Sequence, residues 1–288
     1  MNFYNHTKMT TIKSQILFLL VIPLFLFLTD YSAKAGTVNF TVSPSVIEFD
    51  AVQGAVKVFP LSLYNQGTSP LEVRMSVHDF VLDPNGASQL VLSDGKAHHW
   101  AQYVKLDSTS FKVEPGERHT VRAVLNMPRG KLGGGYFAVV FYARPETVKK
   151  QKRRSGGIVL GARLATLFIG EISRTGSHQG RIISAEVNPG PYSAENPLSM
   201  RIMLENTGTT HIKAKGSITL RNEQGKVIDR VNLESGSGLI LPDSRRYFKG
   251  FWQSAHKFPN EKVTADIRFL FPGGNVRKRL PLPLDFQK

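Results

Sequence analysis

Apolar and polar residues alternate along much of the chain. Leu71, Val73, Met75 and Val77 are interleaved with Glu72, Arg74, Ser76 and His78. A period of two is the mark of a strand with one face buried. Val121, Ala123 and Leu125 repeat the pattern against Arg122 and Asn126. Residues 136–142 (YFAVVFY) form a continuous apolar and aromatic run, as expected of a central sandwich strand. Turn signals separate the runs: Asn65-Gln66-Gly67, Asp83-Pro84-Asn85-Gly86, Glu114-Pro115-Gly116-Glu117 and Gly133-Gly134-Gly135. Further strands are expected at 181–187, 198–204, 211–220, 227–233, 263–271 and 276–284. No window shows sustained helical spacing with caps. The pattern predicts an all-β chain of antiparallel β-sandwiches.

A short recurrence divides it in two. Residues 63–68 (LYNQGT) and 204–209 (LENTGT) share the form L-x-N-x-G-T, each early in its own strand series. An Asn-x-Gly turn suits a reversal between strands that needs a positive φ. The polar stretch 174–180 (RTGSHQG) is the expected linker. The first domain is expected over 36–173 and the second over 181–288.

Residues 1–35 read as an export signal. Lys8 and Lys13 precede 13 apolar residues at 16–28, and Ala33-Lys34-Ala35 offers small residues for cleavage after Ala35. The run is shorter than the roughly 20 residues of a spanning helix; retention as an uncleaved anchor is the competing reading. No later segment is apolar enough to span, so the mature form is expected in the periplasm or at the cell surface without a membrane span.

Composition narrows the chemistry. The absence of Cys excludes disulfides, thiolate metal sites and a cysteine nucleophile. The eight His are scattered, and the adjacent pair His98-His99 points to opposite faces if extended. No phosphate loop, nucleophile elbow or H-x-x-x-H spacing is present, so the chain is read as non-enzymatic, with no metal and no cofactor. The 288 residues hold 37 Lys+Arg against 22 Asp+Glu, a net +15. Residues 36–143 carry nine bases and nine acids, 144–180 eight against two, and 181–288 seventeen against ten. Export and the lack of a reading motif argue against nucleic acid as the partner.

The most distinctive stretch is 144–172. It opens with a basic run, Lys149, Lys150, Lys152, Arg153 and Arg154, read either as a solvated loop or as a docking patch for an anionic surface. An apolar strand follows, with Ile158, Leu160, Leu164 and Phe168 in one phase and Ala162 between them. It is either an ordinary buried strand or one whose upper half lies at a sheet edge and pairs with a partner.

The first domain resembles the immunoglobulin-like domain of periplasmic pilus-assembly chaperones, the PapD-like superfamily. The resemblance rests on Phe40-Thr41-Val42-Ser43-Pro44 leading to Phe49, on 61–67 (LSLYNQG), on Trp100 with 103–106, on 111–121 (FKVEPGERHTV), on 135–142 and on 163–170. It implies two tandem immunoglobulin-like domains, the last strand of the first donating alternate apolar side chains to a pilin-like subunit. Ile158, Leu160 and Leu164 would be those side chains, and Arg163 the basic residue that holds the subunit's terminal carboxylate. The chain departs from the pattern on its first strand, where Ser43-Pro44 stands in place of a second basic residue. The approach to the last strands, 128–136 (PRGKLGGGY), is also similar to that of secreted two-domain surface proteins. The leading reading is therefore an exported assembly chaperone that binds another secreted or surface protein. The alternative is an adhesive envelope protein that contacts anionic envelope polymers, or another surface protein, through its basic loop.

Overall fold

Almost every alternating segment is a strand in the computed structural model, which describes residues 38–92, 94–146, 160–258, 261–282 and 284. Ten strands precede residue 173: β1 (Phe40–Ser43), β2 (Val46–Ala51), β3 (Val56–Asn65), β4 (Leu71–Leu82), β5 (Ser88–Val91), β6 (Val104–Leu106), β7 (Ser110–Val113), β8 (Arg118–Asn126), β9 (Gly134–Pro145) and β10 (Ala162–Ile172). They form two sheets, ordered β1-β3-β8-β6 and β2-β10-β9-β4-β5, with β7 also paired to β4. All pairings are antiparallel except β2 with β10. Nine further strands follow: β11 (Gly180–Val187), β12 (Leu198–Asn206), β13 (Ile212–Lys213), β14 (Lys215–Arg221), β15 (Val227–Leu233), β16 (Leu239–Ile240), β17 (Arg245–Trp252), β18 (Val263–Phe271) and β19 (Gly274–Leu282). Their sheets are β11-β12-β17 and β15-β14-β18-β19, with β13-β16 as a small third. The chain is thus all-β, two sandwiches in tandem.

The alternation decides what is inside. Leu71, Val73 and Met75 of β4, Val121, Ala123 and Leu125 of β8, and Phe137 and Phe141 of β9 are all buried in the first core. Phe168 stacks on Phe137 with ring centroids 4.2 Å apart, and Phe59 meets Phe168 edge-on at 5.1 Å. Such pairs add about 0.5–1.5 kcal/mol beyond area burial. The glycine-rich approach to β9 was expected to be a turn. Only Gly133 turns, with φ +76°; Gly134 and Gly135 lie inside the strand. Trp100 explains the second of them: a Cβ on Gly135 would lie 1.7 Å from its ring. Gly170, directly opposite on β10, gives room to the other edge of the same ring.

The expected strand at 211–220 is broken into β13 and β14. At Ala214 the backbone N–H leaves the ladder and donates to Gly238 O at 3.0 Å.

The two sandwiches meet along a buried seam. The outer face of the first presents Phe80, Tyr136, Ala138 and Ile169, which pack on Leu239 and Leu241 of the second. Main-chain bonds cross it from Gly134 N to Thr209 O (2.9 Å) and from Tyr247 N to Pro84 O (2.7 Å). Arg246, nearly enclosed, holds the loop that presents Leu239 by donating to Ser235 O at 2.7 Å and Leu239 O at 2.9 Å.

Two histidines flank Tyr136 in this seam, His98 and His211, with ring centroids 6.4 and 5.9 Å away. Burial pushes both below the ordinary histidine range, with His99 and Lys96 adding to it at His98, and Lys213 and His178 at His211. Asp243 and Asp94 oppose the shift at His98, as Glu171 and Glu48 do at His211. The unfolded chain protonates both near pH ~6.5, so it binds more protons than the folded state just below that pH. Stability is therefore expected to fall as pH drops from 7 to 5. A melting series of the wild type against a His98→Gln/His211→Gln variant checks it: the variant should have the flatter profile, and an unchanged slope would exclude these two groups.

Candidate functional site

The candidate strand is flanked unequally along its length. β10 pairs with β9 from Ala162 to Glu171, but with β2 only from Leu167 to Ile172. The reason lies in β1 and β2. The chain leaves the first sheet after Ser43, passes Pro44 and Ser45, and joins the second sheet at Val46. Pro44 O accepts a bond from Thr166 Oγ1 at 2.7 Å, and Ser45 O accepts one from Leu167 N at 2.9 Å. Beyond that point, among the described residues, no strand lies beside 162–166 on that side. Alternation along a strand directs the N–H and C=O of Ala165 and Arg163 to the same side as those of Leu167. That stretch is an open sheet edge.

Side-chain phase adds a second property. Leu164 pairs with Phe141, and Phe168 with Phe137, so both project to the core face of the sheet. Phe168 is fully buried and Leu164 is 40% exposed. Leu160, just before the strand and in the same phase, is 74% exposed. A core-facing row thus runs from a closed floor at Phe168 to an uncovered mouth at Leu164 and Leu160. Phe168 is corrected from the expected contact set: it sits under Phe137 and Phe59 and has no surface to offer. Ile158 lies outside the described residues, as do Lys149, Lys150, Lys152, Arg153 and Arg154, and residues 1–35.

Arg163 faces the other way. It pairs with Tyr142, which pairs with Arg74 on β4, so the three share the outer face of the sheet. The Arg163 guanidinium lies 5.6 Å from the Tyr142 ring centroid. These residues line a shallow groove of about 430 Å³ with His78 and Leu90. Arg163 therefore borders the same open edge as Leu164 from the opposite face. Sequence reading missed Arg74 as its neighbour, because only the strand register brings the two together.

The arrangement suits binding through backbone and apolar contact. Asp79 is buried and accepts a bond from Ala101 N at 2.9 Å, while the adjacent His78 is on the outer face beside Ser76. Among the described residues, no group of three His, Cys, Asp or Glu is placed to hold a metal ion. No helix among them is long and apolar enough to cross a membrane.

No family model matches the sequence, and no curated protein matches it. Solved structures do. The class 5 fimbriae chaperone CfaA is 13% identical over 85% of this chain and 100% of its own, with a TM-score of 0.45. The CsuC–CsuE chaperone–tip subunit complex from the Csu pili of Acinetobacter baumannii is 12% identical over 84% of this chain and 97% of the matched one, with a TM-score of 0.41. The CupB2 chaperone of Pseudomonas aeruginosa is 15% identical over 84% and 100%, with a TM-score of 0.40.

Proposed function

We propose that this protein is an exported, non-enzymatic assembly factor of the pilus-chaperone kind. It captures a β-sheet subunit by pairing a strand of that subunit with the open edge of β10. The single observation that carries the reading is Leu164, a core-phase residue left 40% exposed beside an unpaired backbone edge. An open sheet edge beside an exposed apolar side chain is an aggregation hazard unless a partner covers it. In the mechanism, Arg163 and Ala165 supply main-chain bonds to the incoming strand, and Leu160 and Leu164 fill its missing core positions. The resemblance implies Ile158 as a further contributor to this contact. Arg163, on the far side of that edge, receives a carboxylate at the end of the captured chain.

Hydrogen exchange tests this directly. In a complex captured from the organism's own envelope fraction, the amides of Arg163 and Ala165 should gain strong protection. The complex should also survive 0.5 M salt, since exposed ion pairs are screened over only about 3–10 Å at ~0.1–1 M. Protection confined to other strands, or release by salt, would overturn strand pairing at β10.

A further inference from the structure

The basic surplus of the second sandwich is concentrated by its strand register. On the outer face of the β15-β14-β18-β19 sheet, Thr219 stands between Arg230 and Asp266, and Asp266 faces Arg279. One row away, Ser217 stands between Asn232 and Arg268, and Arg268 faces Arg277. Arg221 completes the group on β14. The result is a shallow trough of about 640 Å³ lined by Arg221, Arg230, Arg268, Arg277 and Asp266, with Arg279 at its edge.

A single carboxylate, Asp266, stands among these guanidiniums. Asp266 is almost fully enclosed, bonded by both ends of Arg277 and lying 3.7 Å from Arg279. No acid pairs with Arg230 or Arg268 among the described residues. Like charges facing each other across strands cost stability, and nothing in the core below requires arginine at these solvent-facing positions. The only aliphatic residue lining the trough is the buried Ile218. The trough therefore lacks the apolar anchor of a protein hot spot or a membrane-inserting face.

We propose that this arginine face is a docking site for an extended anionic polymer bearing phosphate groups. A guanidinium fork matches phosphate oxygens in pairs. Phosphate oxygens are also arranged tetrahedrally, so one group can meet two guanidiniums that do not share a plane, such as Arg268 and Arg279 on neighbouring strands. The four strands span about 15 Å, so an extended chain crossing them passes Arg230, Arg268 and Arg279. The site is separate from the β10 edge and stands or falls independently of it.

The test is binding of long-chain inorganic polyphosphate to the mature protein, followed by fluorescence anisotropy. An Arg230→Gln/Arg268→Gln/Arg279→Gln variant keeps the Arg277–Asp266 pair, and its melting temperature reports on the fold. It should bind about tenfold or more weakly at low salt and lose roughly two to three counterions from the slope against log salt. Replacing Lys149, Lys150, Lys152, Arg153 and Arg154 by Gln should change affinity by less than about threefold. Should the triple variant unfold, single Arg230→Gln and Arg268→Gln variants should each weaken binding about threefold. Undiminished binding by the folded triple variant or by both single variants would overturn the proposal. So would loss on replacing the basic run alone, or tighter binding to polyglutamate or to phosphatidylglycerol vesicles than to polyphosphate.

Discussion

Asn206→Ala is expected to lower the melting temperature of the second sandwich by more than about 10 °C. The side chain is buried at the end of β12 and makes three bonds: Nδ2 donates to Thr210 O (2.8 Å) and to Ile240 O (2.9 Å), and Oδ1 accepts from Gly208 N (2.9 Å). Alanine would remove all three bonds in a site closed to water. At roughly 1 kcal/mol per lost bond, plus the desolvation of orphaned groups, the cost is about 3–4 kcal/mol. A domain of ~100 residues loses about 4 °C or more per kcal/mol. Asn65 makes the corresponding bonds to Ser69 O, Val113 O and Gly67 N in the first sandwich, but two of the three are only partly buried. Water can replace those, so Asn65→Ala should cost about half as much. Asn206→Asp should be at least as harmful as alanine, since it keeps the bond to Gly208 and sets a carboxylate against two carbonyls. Differential scanning calorimetry decides among them; a shift of only a few degrees for Asn206→Ala would mean that the turn closes without its side chain.

These two asparagines mark what a linear sequence discloses. The contact from Asn to the glycine two residues on is local and is written in the Asn-x-Gly spelling. The contacts to Val113 and Ile240 span 48 and 34 residues and come into being only with the sandwich. The same division holds for strands. β8 and β15 were legible because their buried positions are apolar without exception, and β4 because Leu71, Val73 and Met75 set the phase before the buried Asp79 interrupts it. β17 was not: its buried positions are Arg246, Phe248, Gly250 and Trp252, and an arginine and a glycine interrupt the alternation. β16 has two residues, too few to show a period. At the candidate site, the shared phase of Leu160, Leu164 and Phe168 was readable. Where the facing sheet stops covering them depends on the path of β1 into β2 around Pro44, which no spacing encodes. Arg163 was named only through the family resemblance, and its outward direction and its neighbour Arg74 come from register. The basic surplus was countable, yet its gathering onto one face depends on the pairing of two separate hairpins, β14-β15 and β18-β19.

Leu164→Asp is expected to weaken capture of a partner by more than about a hundredfold while leaving both sandwiches folded. The two halves of that result have different causes. In the free protein Leu164 is 40% exposed, so a carboxylate there stays hydrated, and surface changes of this kind usually cost less than about 0.5 kcal/mol. In the complex the same side chain would be enclosed in an apolar position of the subunit. Burying an unpaired carboxylate costs several kcal/mol, and each ~1.4 kcal/mol is tenfold in affinity. Leu160→Asp, at a still more exposed position of the same phase, should act in the same direction. Phe168→Asp is the contrasting control: its side chain is stacked on Phe137 in a closed core, so it should unfold the first sandwich outright. Arg163→Gln should weaken capture by about fivefold or less, the scale of an exposed ion pair. The measurement is co-purification of each variant with its partner, set beside its own melting curve. Undiminished capture by a folded Leu164→Asp protein would place the binding surface away from β10. Loss of fold by that variant would mean that its 40% exposure understates its share of the core, and Leu164→Ser, smaller and uncharged, would then separate binding from folding by losing the first while keeping the second.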